Sequence, residues 1–321
     1  MYGLVDSADL PLNVSREALQ DNTVFLKIRK VITKKVLDHL TDLQTENVDD
    51  YHIFYQEFGT ILREGVSSDF SHRDRLSKLL LFPSEQSSHD SGLTSLGEYC
   101  ERMPDNQEQI YYLSGESKER LTRNPHLEAF RKRGLEVLLL TDPVNEIVLS
   151  QLEKFEGKEI VSIDSADVSL PEKADSDNAE DSSATDEAPA GFDTLLEHFQ
   201  QSLSERIAEV RKSERLTESP CCLVNKDGKM STQLQKVLSM QHEGFPTAER
   251  ILELNPQAPL IQRLSSLVGN EQNHEFVTSC ANLLLDQALL QEGIAPDDND
   301  MTSRVFGMMQ ELAEGKSSII T

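Results

Sequence analysis

The sequence has 321 residues and a formal charge of −25, because 56 acidic side chains stand against 31 basic ones. So acidic a surface repels the phosphates of nucleic acids and of anionic lipids, and both are therefore excluded as partners. No apolar run approaches the roughly 20 residues of a membrane-spanning helix, and the N-terminus lacks the cationic start and apolar core of a secretory signal, which predicts a cytoplasmic protein.

The first half of the chain predicts helices followed by a small sheet. Between residues 23 and 80, apolar side chains recur at the three- and four-residue spacing of amphipathic helices. Farther on, apolar strands alternate with helices, and the strands are predicted at 109–114, 136–141 and 159–163. Strands that are separated by helices favour a parallel sheet covered by helices. We predict a helical segment over 15–104 and a small three-layer α/β subdomain over 105–163.

Two residues mark helix ends in that subdomain. Asp142 can cap the helix between the second and third strands, and Pro143 then occupies its first turn. Gly134 is placed to end the preceding helix.

Residues 164–190 are predicted to be an acidic flexible linker. The stretch carries nine acidic side chains and a single basic one, Lys173, and it has almost nothing to bury. Such a segment cannot offset the entropy lost on ordering. We therefore predict a first domain over 1–163 and a second domain over 191–321.

The second domain has the pattern of a mixed α+β fold. Its strands are predicted at 219–225 and 250–254, and its helices at 195–207, 230–240, 259–267, 275–291 and 300–312. The predicted fold class of the whole chain is thus α+β with an α/β part, and the chain ends in a helix pair.

Motifs of self-sufficient enzymes are incomplete. Gly315-Lys316-Ser317 resembles the end of a phosphate-binding loop, but Gln310 stands where that loop needs glycine. The four cysteines lack the spacing of a metal site, so we predict reduced, packed thiols and no metal. An enzyme built on the α/β layer at 109–163 is kept as the alternative function.

The opening segment places an arginine beside a predicted helix start. Ser15 can cap that helix, and Arg16 next to a helix N-terminus suits an anion such as a phosphate. The alternative is an ordinary ion pair between Arg16 and Glu17 or Asp9.

A second candidate site is the predicted helix at 230–240. Its apolar residues Met230, Leu234, Val237 and Leu238 share one face, and a methionine at the end of such a stripe suits adaptable apolar binding. The alternative is a helix whose apolar face packs in the core.

The last two predicted helices carry more apolar surface than one small domain needs. A two-fold four-helix bundle would bury it in a homodimer, and packing within one chain is the alternative. The candidate interface residues are Val277, Ala281, Leu284, Ala288, Met301, Val305, Met308, Met309 and Leu312.

Several segments together resemble the heat shock protein 90 family, with bacterial members the most similar. The most specific is Leu10-Pro11-Leu12-Asn13-Val14-Ser15-Arg16-Glu17-Ala18-Leu19-Gln20. Others, in the family's order, are Pro125-His126-Leu127-Glu128, Met230-Ser231-Thr232-Gln233 and Leu252-Glu253-Leu254-Asn255-Pro256. The family's ATP-binding domain is not recognised, so the resemblance implies the end of a middle domain followed by a C-terminal dimerisation domain.

The resemblance also implies roles for individual residues. Arg16 would reach the γ-phosphate of ATP that is held with Mg²⁺ by the missing domain, while Asn13 and Gln20 position the same loop. The helix of Met230, Leu234, Val237 and Leu238 would bind unfolded or partly folded client proteins, with Ile147 across the cleft where the family often has a large aromatic residue. The last helix pair would form the homodimer, and co-chaperones are further expected partners. This chain alone is expected to hold no cofactor and to have no ATPase activity.

Overall fold

The computed structural model describes residues 23–166, 168, 170–171, 188–226, 231–241, 249–296 and 301–317. The chain divides into two compact units, Met1–Leu81 and Phe82–Thr321. Within the described ranges, no helix combines the length and apolar character that crossing a bilayer requires.

The first unit is helical, as the sequence predicts. Its helices are α1 (Thr23–Glu46), α2 (Val48–Ser68) and α3 (Arg73–Lys78). The inward face of α2 buries two tyrosines that also serve as hydrogen-bond donors. Tyr51 donates to the carbonyl oxygen of Leu79, and Tyr55 donates to that of Leu81 at 3.1 Å. These bonds satisfy backbone carbonyls beyond α3 and explain how polar side chains can occupy a core position.

The second unit begins with the predicted α/β layer. Its elements are β1 (Leu81–Pro83), β2 (Leu93–Ser95), α4 (Leu96–Arg102), β3 (Gln109–Ser114), α5 (Lys118–Leu121), α6 (Glu128–Lys132), β4 (Leu138–Leu140), α7 (Pro143–Leu152), β5 (Lys154–Phe155) and β6 (Lys158–Ser162). The sheet order is β4-β3-β6-β5, in which β3 pairs parallel with both β4 and β6. The short edge strand β5 is antiparallel. The predicted parallel sheet is therefore confirmed, with one antiparallel edge added.

Both predicted helix ends are present. The Asp142 carboxylate accepts the N–H of Val144 at 3.0 Å, with Pro143 in the first turn of α7. Gly134 follows α6 with φ of 69°, in the left-handed region that favours glycine.

The rest of the second unit mixes helices with a smaller sheet. Its elements are α8 (Phe192–Leu203), β7 (Glu209–Lys212), β8 (Cys221–Asn225), α9 (Thr232–Gln241), β9 (Arg250–Leu254), α10 (Pro259–Leu267), α11 (His274–Gln291) and α12 (Met301–Ser317). Strand β9 lies in the middle, parallel to β7 and antiparallel to β8. The α+β class predicted from the sequence is thus confirmed.

Most of the predicted linker at 164–190 lies outside the described residues, but its first residues are fixed. Asp164 and Ser165 are buried, and Ser165 forms a parallel bridge with Asn225 at the end of β8. The N–H of Ala166 donates to the Asn225 carbonyl at 2.9 Å. The backbone after β6 therefore continues along β8, which moves the start of any linker past residue 166. The wider division into domains 1–163 and 191–321 stays a prediction.

Candidate functional site

Helix α9 begins against two buried carboxylates. Glu146, on α7, accepts the backbone N–H of Ser231 at 3.0 Å and its hydroxyl at 2.7 Å. Asp164 accepts the N–H of Thr232 at 2.8 Å. Carboxylates at this end of a helix satisfy its unpaired N–H groups and oppose the positive end of its dipole. The two acids thereby fix the start of α9 beside α7.

Burial raises the pKa of both acidic groups. Burial raises the pKa of Glu146 above its ordinary value, the negative charge of Asp164 adds to the effect, and the Ser231 hydrogen bonds oppose it. Burial likewise raises the pKa of Asp164, with a further contribution from the charge of Glu292. The hydroxyl of Ser162, at 2.6 Å, partly compensates the Asp164 carboxylate.

The side of α9 that faces α5 and α11 is held by Lys236. Its ammonium group contacts the Glu116 carboxylate and donates to the carbonyl oxygen of Gly293 at 2.7 Å. The hydrogen bond from Lys236 lowers the pKa of Glu116. Helix α9 is thus fixed at its start by carboxylates and along its side by a cation.

The apolar residues predicted on α9 separate into a buried and a half-buried group. Leu234 is only 4% exposed, because it packs inward, so it does not lie on the exposed surface that the sequence predicts. Val237 and Leu238 are half-buried, and Met230 lies outside the described residues.

Helix α7 packs against α9 and adds two apolar side chains. Ile147 is 36% exposed and Val144 is 42% exposed. Val144 is absent from the prediction, although its position three residues before Ile147 puts both on one face of a helix. We refer to Val144, Ile147, Val237 and Leu238 as the α7/α9 surface.

The residues of α11 that are predicted at the dimer interface pack inside the single chain. Val277, Ala281, Leu284 and Ala288 are buried in the core formed with α8 and the β7-β9-β8 sheet. The single chain therefore does not present these four side chains to a second copy. Packing within one chain, the alternative to a dimer interface, accounts for this face of α11.

Helix α12 instead leaves apolar side chains on the surface. Met309 and Leu312 are 61% and 69% exposed, and Phe306, three residues before Met309, is 66% exposed. Met301, Val305 and Met308 are half-buried, and Met308 packs against the core. We refer to Phe306, Met309 and Leu312 as the α12 stripe. Phe306 is missing from the predicted interface.

A buried carboxylate attaches α12 to α11. Asp286 is fully buried and accepts from Arg304 on α12 at 2.6 Å and from Arg206 at 2.5 Å. The two guanidinium groups pair both oxygens of the buried carboxylate and themselves stay partly exposed, which makes the Asp286 charge tolerable where a lone buried charge is not. The orientation of the α12 stripe is therefore set by polar contacts on the opposite side of the helix.

Comparison with known proteins identifies the family. The model of the Hsp90 protein family matches residues 1–319. The chain belongs to the Hsp90 family. It is 41% identical over 317 residues to the chaperone protein HtpG of Geobacter sulfurreducens, which covers 98% of this chain and 48% of that protein. The HtpG proteins of Geobacter metallireducens and Myxococcus xanthus are 39% and 40% identical, over 98% and 97% of this chain. The chain spans about half the length of these curated relatives.

Family membership gives no support to the alternative of a free-standing enzyme. Among the residues that the structure describes, no group of three His, Cys, Asp or Glu side chains is placed to hold a metal ion. All four cysteines are free thiols, and Cys221, Cys222 and Cys280 are buried, as predicted for small packed residues.

The Hsp90 signature around Arg16 cannot be related to this geometry. Asn13, Arg16 and Gln20 all precede Thr23, where the described residues begin. Their predicted contacts with a phosphate therefore stay predictions.

Proposed function

We propose that this Hsp90-family chain binds unfolded or partly folded client proteins through the α7/α9 surface. The observation that carries the proposal is the exposure of Val144 and Ile147 on a helix that packs against α9. Contiguous apolar side chains on a protein surface mark sites of protein binding, and unfolded chains offer many apolar partners. The relatives named above are chaperones, which supports the same function here.

Rigid support distinguishes this surface from a frayed helix. The start of α9 is held by Glu146 and Asp164, and its side is held by Lys236. An apolar surface on anchored helices loses less conformational entropy on binding than a mobile one. Apolar side chains of a client would then bind to a preformed surface.

We also propose a homodimer that forms through the α12 stripe. Phe306, Met309 and Leu312 are exposed at spacings of three residues, so they follow one side of the helix. A second copy of the same stripe would bury them around a two-fold axis.

The remaining parts of the proposed function rest on the family resemblance. Arg16, with Asn13 and Gln20, would sense the γ-phosphate of ATP bound with Mg²⁺ elsewhere in a full-length Hsp90 protein. For this chain alone we propose no resident cofactor and no ATPase activity, because the segments that resemble the Hsp90 family belong to its middle and C-terminal domains and not to its ATP-binding domain. A cytoplasmic location and co-chaperone partners belong to the same proposal.

A pair of variants on one face of α7 tests client binding. Ile147→Asp replaces an exposed apolar side chain with a charge, and it should weaken binding of a chemically unfolded reporter protein about fivefold to tenfold, as expected for losing roughly 1 to 1.5 kcal/mol of apolar burial. Gln151→Asp adds the same charge one turn away without removing an apolar group, and should change binding less than twofold. The measurement is the chain concentration that halves reporter aggregation, followed by turbidity.

The thermal stability of both variants and one contradicting outcome complete this test. Gln151→Asp should keep the thermal midpoint of the parent chain, and Ile147→Asp, at a position that is 36% exposed, should remain folded at the assay temperature. Equal activity of Ile147→Asp and the parent in suppressing aggregation would remove the α7/α9 surface from the proposal.

A further inference from the structure

A cleft of about 460 Å³ in the second unit is lined by residues of α6, of the stretch after β6, of β7 and the loop after it, and of β9, and it shares no residue with the α7/α9 surface or the α12 stripe. Its volume is within the range of sites that bind small molecules or short peptide segments. The described part of its lining includes four cationic side chains, namely Arg133, Arg211, Lys212 and Arg215. This concentration is unusual in a chain with 56 acidic and only 31 basic residues.

The arginines at the base of the cleft are fixed by one buried carboxylate. Glu253 is 2% exposed and contacts Arg211 at 2.7 Å and Arg215 at 3.0 Å. Arg215 also donates to the Ile163 carbonyl at 2.6 Å, so it joins the two sheets. One carboxylate therefore neutralises only one of these two positive charges.

The charges at the rim leave the cleft positive as a whole. The guanidinium of Arg133 donates to the carbonyl oxygen of Pro171 at 2.8 Å, a contact that leaves its positive charge in place. Lys212 and Glu214 are both exposed beside it. Among the described residues that line the cleft, four cations stand against Glu214 and Glu253, a balance of two positive charges within an acidic protein.

One wall of the cleft is apolar. Phe130 is fully buried, and Val168 and Leu170 are half-buried side chains that pack against its cluster. A bare anion would use only the cations and leave this wall without a partner. An occupant with carboxylates beside apolar side chains would use both parts of the lining.

We propose that this cleft binds an acidic peptide segment of a partner protein. Carboxylates of the segment lie toward Arg133 and Lys212, and an apolar side chain next to them packs on Val168 and Leu170. The site shares no residue with the client surface, so it would accept its partner whether or not a client is bound.

The test uses two short fluorescein-labelled peptides, one alternating Asp with Leu and the other Asn with Leu. Binding to the whole chain is followed by fluorescence anisotropy at physiological ionic strength. The Asp peptide should bind more tightly than the Asn peptide. The double variant Arg133→Ala and Lys212→Ala should weaken Asp-peptide binding about fivefold, because the ion pairs of a half-buried and an exposed cation with the peptide are both lost.

Two controls separate this site from general charge effects. The double variant Lys118→Ala and Lys132→Ala removes the same charge from exposed positions outside the cleft, and its affinity should stay within twofold of the parent. Lys212→Ala alone, which leaves the Arg133 contact with Pro171 intact, should still weaken binding.

Three results would overturn the proposal. Equal loss in the two double variants would mean that the peptide responds to overall charge. Equal binding of the Asp and Asn peptides would remove the role of the cations. Full displacement of the peptide by millimolar inorganic phosphate would make the cleft a simple anion site.

Discussion

At the scale of single residues, a half-buried carboxylate joins α6 to the loop that leads into β8. Glu128, on α6, accepts the backbone N–H groups of Thr217 at 2.7 Å, Glu218 at 2.8 Å and Ser219 at 3.1 Å. Burial by itself would raise the pKa of Glu128, but the N–H donors favour the ionised form and lower the pKa overall. One side chain therefore organises the loop that leads into β8.

The sign of the shift fixes how Glu128 responds to pH. A carboxylate whose pKa is lowered by folding stabilises the fold above its unfolded pKa, near 4.5, and loses that contribution as the pH falls through the folded value. Glu128→Gln should lower the free energy of unfolding by about 1 to 3 kcal/mol at neutral pH, because three N–H groups lose a charged acceptor. The difference from the parent should shrink once the pH falls below the folded pKa. Urea titrations of Glu128→Gln and of the parent, at neutral pH and at a pH below the folded pKa, measure this difference in the free energy of unfolding.

An exposed neighbour provides the control for Glu128. Glu218→Gln removes a carboxylate from the same loop, and should change stability by less than about 0.5 kcal/mol. A loss in Glu128→Gln that stays constant across the acidic range would contradict the ionised state assigned to this residue.

Glu146 and Asp164 act in the opposite direction. Folding raises the pKa of each, so their ionisation costs stability as the pH rises above their ordinary values of 4.5 and 3.8. Their hydrogen bonds to the start of α9 offset part of that cost. The start of α9 is therefore held by two acidic groups whose burial disfavours their charged forms.

At the scale of elements, strongly apolar segments could be predicted and weakly apolar ones could not. The predicted bounds of β3, β9 and α10 agree with the observed Gln109–Ser114, Arg250–Leu254 and Pro259–Leu267. Strand β7 is missing from the prediction because Val210 is its only apolar residue, and it is defined by backbone pairing with β9. The burial of Leu234 was also hidden, since periodicity shows that a helix has an apolar face but not what covers it.

One glycine sets where α8 can begin. Gly191 precedes the helix with φ of 84°, and a Cβ there would lie 2.4 Å from the carbonyl oxygen of Ser265. Gly134 has a similar φ of 69° but open space around it. Comparing the two glycines therefore separates two costs of adding a Cβ atom: the strain of a left-handed backbone, present at both, and the clash between α8 and α10, present only at Gly191.

Alanine at both glycines measures that difference. Gly134→Ala should cost about 1 kcal/mol, the strain of a left-handed residue. Gly191→Ala should cost about 3 kcal/mol, since overpacking against a backbone carbonyl is added to the same strain. Thermal unfolding of the two variants beside the parent gives both values. Equal losses would show that α8 can move away from Ser265 at no cost.

At the scale of the whole molecule, the apolar face of α11 is buried within the chain, whereas an apolar face of α12 is exposed. The face of α11 with Val277 and Ala281 completes the core, whereas the α12 stripe stays exposed. An exposed apolar helix face on an otherwise highly charged protein favours burial by a second copy. The homodimer proposal thus depends on α12, although the sequence pattern predicts an interface on both helices.

Two charge insertions on α12 test that assignment. Met309→Glu places a carboxylate within the stripe, and burying it without a partner should weaken self-association more than tenfold. Ser303→Glu adds the same charge on the other side of α12, where the side chain is exposed, and should leave association within twofold of the parent. Light scattering at micromolar concentration should give twice the 36.1 kDa of one chain for the parent and for Ser303→Glu, and a lower mass for Met309→Glu. A parent chain that scatters as a monomer would remove the dimer from the proposed function. Equal masses of twice 36.1 kDa for all three proteins would show that the dimer interface lies elsewhere than on the α12 stripe.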